Sequence, residues 1–432
     1  MKKQLFIDLS WINIKHSGGG YHSVQNIINS ILNNKNISQD LRSYRLSSID
    51  MLRGLVVVLM AIDHVRMFFM EASVRDLMNQ PDIPVLIYLT RWITHFCVPA
   101  FIFLAGTSAG LMATRKTPLQ MGAFLCKRGL WLIFVEIFVI STANTFSPMG
   151  MAEYGGATRV VLQVIWAIGA SMILLAVFQF LGARVCLFLG GLILLGHNLF
   201  DPLWPSPDLS SGDSSLWSFL FYQGSFILKH FFILQLYPLL AWFGVMLMGF
   251  GSACIFQQEA SKRNRMLISV GSIFIITFLL IRASGLYGDS NPWRIQEQGI
   301  LTTILDFMNV TKYPPSLLFL LITLGPLAIL AGCADRFRGR CKNVLVMFGR
   351  VPFLFYVTHF YLIHILAACL GVMQGFKVNQ FLTSFRFFPE GYGVGLGGVF
   401  LGWLMVLILL YPLCKWFAAI KARRRDWWLS YL

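Results

Sequence analysis

The feature that most constrains this chain is a series of long apolar runs. A helix needs about 20 apolar residues to cross a hydrocarbon core. Such runs fall at 51–70, 86–112, 124–144, 159–180, 184–200, 236–256, 266–284, 315–333, 344–370 and 394–415. The expected fold is therefore all-α, a polytopic helical bundle of about ten transmembrane helices. The stretch Phe219–Phe232, interrupted by Gly224, Lys229 and His230, is expected to be an interfacial or re-entrant piece. Only 12% of the 432 residues are charged, against roughly a quarter in soluble domains. That excludes a soluble globule, a disordered chain and a nucleic-acid module, and leaves the lipid bilayer as the first partner.

The formal charge of +16 fits basic loops gathered on one side of a membrane. With the N-terminus inside, the inner flanks hold Arg53, Arg115, Lys116, Lys127, Arg128, Arg184, Arg263, Arg336, Arg340, Lys415 and Lys421. The opposite loops hold Glu71, Glu153, Asp201, Asp289, Glu297, Asp306 and Glu390. An integral membrane protein with both termini cytoplasmic follows, and an inner membrane of bacterial type is its expected location. Residues 1–44 are polar, carry no secretory signal pattern, and are expected to be a mobile cytoplasmic extension of a membrane domain spanning 45–432. The eight cysteines form neither a CxxC nor a Cys/His cluster. They are read as small buried apolar residues, with no disulfide and no metal.

Ionisable residues inside apolar spans are costly and mark pathways or sites. Asp63, His64 and Arg66 lie about 15 Å or more into the first span, counted from Gly54 at 1.5 Å per residue. Asp63 and Arg66 share a face and are placed to neutralise each other, whereas His64 points about 100° away. Arg91 and His95, four apart, share a face of the second span. In the ninth span His359 lies about 22 Å beyond Val344 by the same rise, with Tyr356 three residues earlier on the same side. His364 is read as interfacial packing. Glu136, inside the third span, is a buried acid with no partner evident from sequence. At the other end of the first span stand Arg45, Ser48, Asp50 and Arg53. Helix capping and anchoring would explain this group; so would binding of a phosphate-bearing donor, which arginine forks suit. Lys312 beside Pro314-Pro315 either lines an outer cavity, as a substrate-binding residue like Arg91, or extends to the interface.

These residues carry a family resemblance. Arg45-Leu46-x-Ser48-x-Asp50-x-x-Arg53-Gly54 and Pro99-x-Phe101-x-Phe103-x-x-Gly106 resemble the opening of the heparan-α-glucosaminide N-acetyltransferase family. Asp63-His64, Arg91-x-x-x-His95, Tyr237-Pro238, Lys312-Tyr313-Pro314-Pro315-Ser316, Gly349-Arg350-x-Pro352 and the tail Trp427–Leu432 resemble its bacterial members. The resemblance runs from Arg45 to the C-terminus. It implies a multi-pass enzyme that takes acetyl from cytosolic acetyl-CoA, its co-substrate, and gives it to a sugar or glycan acceptor across the membrane. Lysosomal members carry their active histidine in a His-x-x-Trp-Asn-Gly stretch after the first helix; residues 71–90 here contain no histidine. The expected catalytic residues are therefore chosen by position: His64 first, then His95, with Asp63 and His359 beside them. Arg45, Ser48, Asp50 and Arg53 are expected to hold the donor. The alternative is a multi-pass transporter or flippase for an envelope glycan or lipid-linked substrate, although no internal repeat relates the two halves. The sequence leaves a homo-oligomer open.

Overall fold

The computed structural model describes residues 47–71, 84–203, 214–424, 426 and 429. The expected extension 1–44, Arg45 and most of the tail motif 427–432 lie outside the described residues. Eight helices are long and apolar enough to cross a membrane: Val85–Ala113 (α2), Val164–Leu181 (α4), Ala183–Pro202 (α5), Leu239–Gln257 (α6), Ala260–Ser284 (α7), Leu317–Arg336 (α9), Pro352–Met373 (α11) and Leu396–Arg423 (α12). They match eight of the ten expected spans. The first and third are helical as well. The first is a helix over 47–69 (α1). The third is α3, Pro118–Phe134, which runs through a π-turn at Val135–Ile140 into Ser141–Thr145. Each carries at least three ionisable residues and so reads as less apolar. Shorter helices, among them Ile300–Met308 (α8) and Arg340–Arg350 (α10), lie between the spans. The chain is a polytopic all-α membrane protein.

Burial separates inner from outer helices. In α6 and α9, 72% of the most apolar stretch is buried within the protein, against 22% in α7 and α12. The latter pair therefore keeps broad apolar faces that suit lipid. Cysteines follow the same logic. Cys97, Cys186 and Cys414 are buried as expected, but Cys254, Cys341 and Cys369 are exposed. A small apolar side chain on a membrane helix gains little from the interior when lipid is equally apolar.

Glycines let backbones meet at the crossings that position the site. A Cβ on Gly54 would strike the Leu345 carbonyl, and one on Gly349 would strike the Asp50 carbonyl. α1 and α10 therefore touch backbone to backbone, which brings Asp50 and Arg53 to Arg350. The Met246 carbonyl against Gly106 and the Phe103 carbonyl against Gly249 weld α2 to α6 in the same way.

Three expectations need correction. The fourth span does not begin at 159. Thr158–Leu162 is a strand (β1), and Gly224–Leu228 (β2) and Phe231–Gln235 (β3) form a hairpin against it, in the order β1-β3-β2. β1 runs parallel to β3, and β2 antiparallel to it. The segment 219–232 is thus no re-entrant piece. Its β-branched and aromatic residues pair with neighbours, which satisfies backbone groups that an extended segment in lipid would leave open. Finally, the ninth span is two helices, not one. Pro352 has no N–H to continue α10 and opens α11 at its first position. His359 is therefore only about 10 Å into its own helix at 1.5 Å per residue, not 22 Å.

Candidate active site

α1 carries functional groups at both of its ends. Arg53 lies near its start and His64 eleven residues on, about 16 Å along the axis. Each opens into its own cavity.

The Arg53 cavity, about 870 Å³, has a basic mouth and an apolar body. Arg53, Lys116, Arg128, Arg350 and Lys421 line it, with Asp50 as the opposing acid. Arg53 Nη1 donates to Asp50 Oδ1 at 3.3 Å, and its Nη2 reaches Ser108 Oγ and, at 3.5 Å, the Leu104 carbonyl. The side chain is thereby held across α1 and α2. Deeper in, Phe101, Ala105, Ala109, Ile165, Ile168 and Met172 make an apolar wall. Ser48 is buried in the first turn of α1 and does not belong to the lining. Two residues before Asp50, it points about 200° away around the helix. Arg45 lies outside the described residues. Arg128, Arg350 and Lys421, taken in the sequence for topological charges or motif letters, are part of this cavity. One signal pointed to Arg128: it stands ten residues into α3, too deep for a loop charge.

The His64 cavity, about 720 Å³, is lined by Asp63, His64, Arg91, Lys312, Tyr237 and Tyr313, with Glu153 and Arg386 toward the loops. Phe232 and Leu234 of β3 close one side. Asp63 Oδ1 accepts from Arg66 at 2.9 Å and from Arg91 at 3.4 Å. The expected Asp63–Arg66 neutralisation is therefore present, and Arg91 from α2 joins it. Tyr237 and Tyr313 share a hydroxyl–hydroxyl bond of 2.9 Å. Lys312 lies 5.1 Å from the Tyr313 ring centre and is among the residues that line this cavity.

Behind this wall, His64 Nδ1 lies 2.6 Å from Nε2 of the fully buried His359. His359 Nδ1 faces only backbone carbonyls, Phe355 at 3.1 Å and Tyr356 at 2.5 Å. A carbonyl accepts and never donates, so Nδ1 of His359 carries the hydrogen. In the neutral ring its Nε2 is then an acceptor, and His64 Nδ1 must be the donor. Nε2 of His64 is left with a free lone pair on the residue that lines the cavity. The arrangement supplies a base or nucleophile with a fixed tautomer.

His95 does not join them. It is buried, with its ring 5.4 Å from Phe319 of α9, and is absent from the lining of either cavity. The cause is local: Thr94–Phe96 is a 3₁₀ turn, which advances about 120° per residue instead of 100°. Thr94 and Cys97 take the cavity face, and His95 leaves the face of Arg91. His364 is packing, as expected. It stacks on Phe146 at 4.0 Å, and both ring nitrogens meet backbone carbonyls, of Ala143 and Phe381. Glu136 also has a structural task. Its Oε2 accepts from the Trp166 backbone N–H at 3.0 Å, in the first turn of α4, where a helix leaves its N–H groups open.

The two cavities share two residues, Phe101 and Val164, which form the partition between them. The membrane bundle thus holds a basic cavity and a histidine-lined cavity that meet at Phe101 and Val164. The catalytic-domain model of heparan-alpha-glucosaminide N-acetyltransferase matches residues 45–284, and the chain belongs to that family. The family is one of membrane acetyltransferases in general. The match takes in the α1 and α2 motifs and Tyr237-Pro238, and ends before the motifs at 312–316 and 349–352. No curated protein matches the chain.

Proposed function

We propose that this protein takes the acetyl group of cytosolic acetyl-CoA at the Arg53 cavity and delivers it to an amine or hydroxyl of a sugar entering the His64 cavity from the other side. The observation that carries this reading is the pair of neighbouring cavities, one with a strongly basic mouth and one lined by His64, that share Phe101 and Val164. The basic mouth suits the phosphates of the donor, since arginine binds them in forked pairs. The apolar body suits the uncharged arm that bears the thioester. The acetyl carbon would then rest against the partition, and displacement of Phe101 would open it to the acceptor.

His64 Nε2 takes the proton of the attacking amine or hydroxyl, the role of a general base, which contributes about 10²–10⁴-fold. A neutral imidazole with an open Nε2 lone pair suits that role. His359 fixes the tautomer and spreads the positive charge that forms on His64. Arg91 and Lys312 position the acceptor. Asp63, held by two arginines, keeps α1 and α2 in register at this depth. The test is transfer of labelled acetyl from acetyl-CoA to cell-envelope glycans by purified protein in lipid. Thioester consumption with a labelled sugar product is the expected result. Movement of a glycan with no thioester consumed would replace this reading with transport.

A further inference from the structure

We propose that Tyr356 is a catalytic residue, its hydroxyl donating a hydrogen bond to the carbonyl oxygen of the donor thioester. This rests on the acetyl-transfer reading above and names a group that neither the motifs nor the family match assigns. Three observations lead to it. First, Tyr356 lines the Arg53 cavity, in company with the partition residues Phe101 and Val164. Second, it is tied to the base through His359. Its own carbonyl accepts from His359 Nδ1, and the two rings lie 5.6 Å apart on one face of α11. Third, Tyr356 is 4% exposed, and its hydroxyl is buried with no hydrogen-bond partner among the described residues.

The third point decides. A buried hydroxyl without a partner costs stability, because its hydration is lost and nothing replaces it. Phenylalanine would fill the same space without that cost. Tyr356 itself borders the cavity that the thioester would occupy. There it meets a reaction that develops negative charge on oxygen. The acceptor nitrogen or oxygen bonds to the carbonyl carbon, its proton passes to His64 Nε2, and the carbonyl π pair moves onto oxygen. When that pair returns, the carbon–sulfur bond breaks. Coenzyme A leaves as thiolate and recovers the proton as thiol. A donor fixed beside the developing oxyanion, in a site that excludes water, is the usual means of lowering such a barrier.

The test uses the full chain in lipid nanodiscs, as wild type and as Tyr356→Phe, with acetyl-CoA labelled by ¹³C at the carbonyl. Isotope-edited infrared spectra of the bound donor should show the carbonyl stretch at lower wavenumber in the wild type than in the variant. Transfer to glucosamine should fall about 10²–10³-fold in kcat at unchanged KM for acetyl-CoA. Thermal stability should hold or rise, an outcome that a purely structural tyrosine would not combine with lost activity. Identical carbonyl bands with full activity would remove Tyr356 from the reaction and leave the function standing. Wild-type protein that binds no acetyl-CoA would overturn the function itself, and this inference with it.

Discussion

At the residue scale, chemistry concentrates in a few side chains whose partners fix their protonation. His64→Ala removes the base and should abolish acetyl transfer while the protein stays inserted and folded; full activity in that variant would contradict the mechanism. His359→Phe is a separate test, because it leaves His64 in place but deletes the acceptor for its Nδ1 hydrogen. With the tautomer no longer set, transfer should drop about 10²–10⁴-fold with donor affinity retained, measured as kcat against the Kd for acetyl-CoA. Arg53→Ala should act on the other cavity. Loss of a charge-assisted phosphate contact costs about 1.5–3 kcal/mol, seen as weaker acetyl-CoA binding by titration calorimetry. Unchanged affinity in a folded variant would take Arg53 out of the donor site.

At the element scale, helix crossings and helix ends hold the two cavities in place. Gly54 and Gly349 permit the contact that sets Arg53 beside Arg350. Gly349→Val should therefore separate α1 from α10, lower thermal stability, and weaken donor binding together with it. A variant with the wild-type melting temperature and affinity would show that the crossing is not needed. Glu136 is the reverse case, an acid expected from sequence to be unusual that proves to cap α4. Broken elements explain the errors of the sequence reading at this scale. A 3₁₀ turn displaced His95, a proline divided the ninth span, and a hairpin replaced a re-entrant segment. Periodicity assumes one regular helix per apolar run, and each of these is a departure from that assumption.

At the scale of the whole molecule, the proposal needs the two cavities to open to opposite sides of the membrane. The basic flanks place Arg115 inside and Gln298 outside, and both positions are exposed. Single cysteines at 115 and 298, in a background without the native thiols, should react with membrane-impermeant reagents from opposite sides. Labelling of both from one side would sink the topology. What the sequence determined by itself was set by local chemistry. Apolar length dictated the spans, since lipid rewards any helix long enough to cross it. The cost of burying charge singled out Asp63, His64, Arg91 and His359. The tertiary structure alone decided which of these meet. Helical period fixes which residues share a face, but not which helix that face will find. The His64–His359 pair is separated by 295 positions, and the wall of Phe101 and Val164 joins α2 to α4 across the whole of α3. Such contacts follow from close packing of helices distant in sequence, as at the glycine crossings, and no local pattern encodes them.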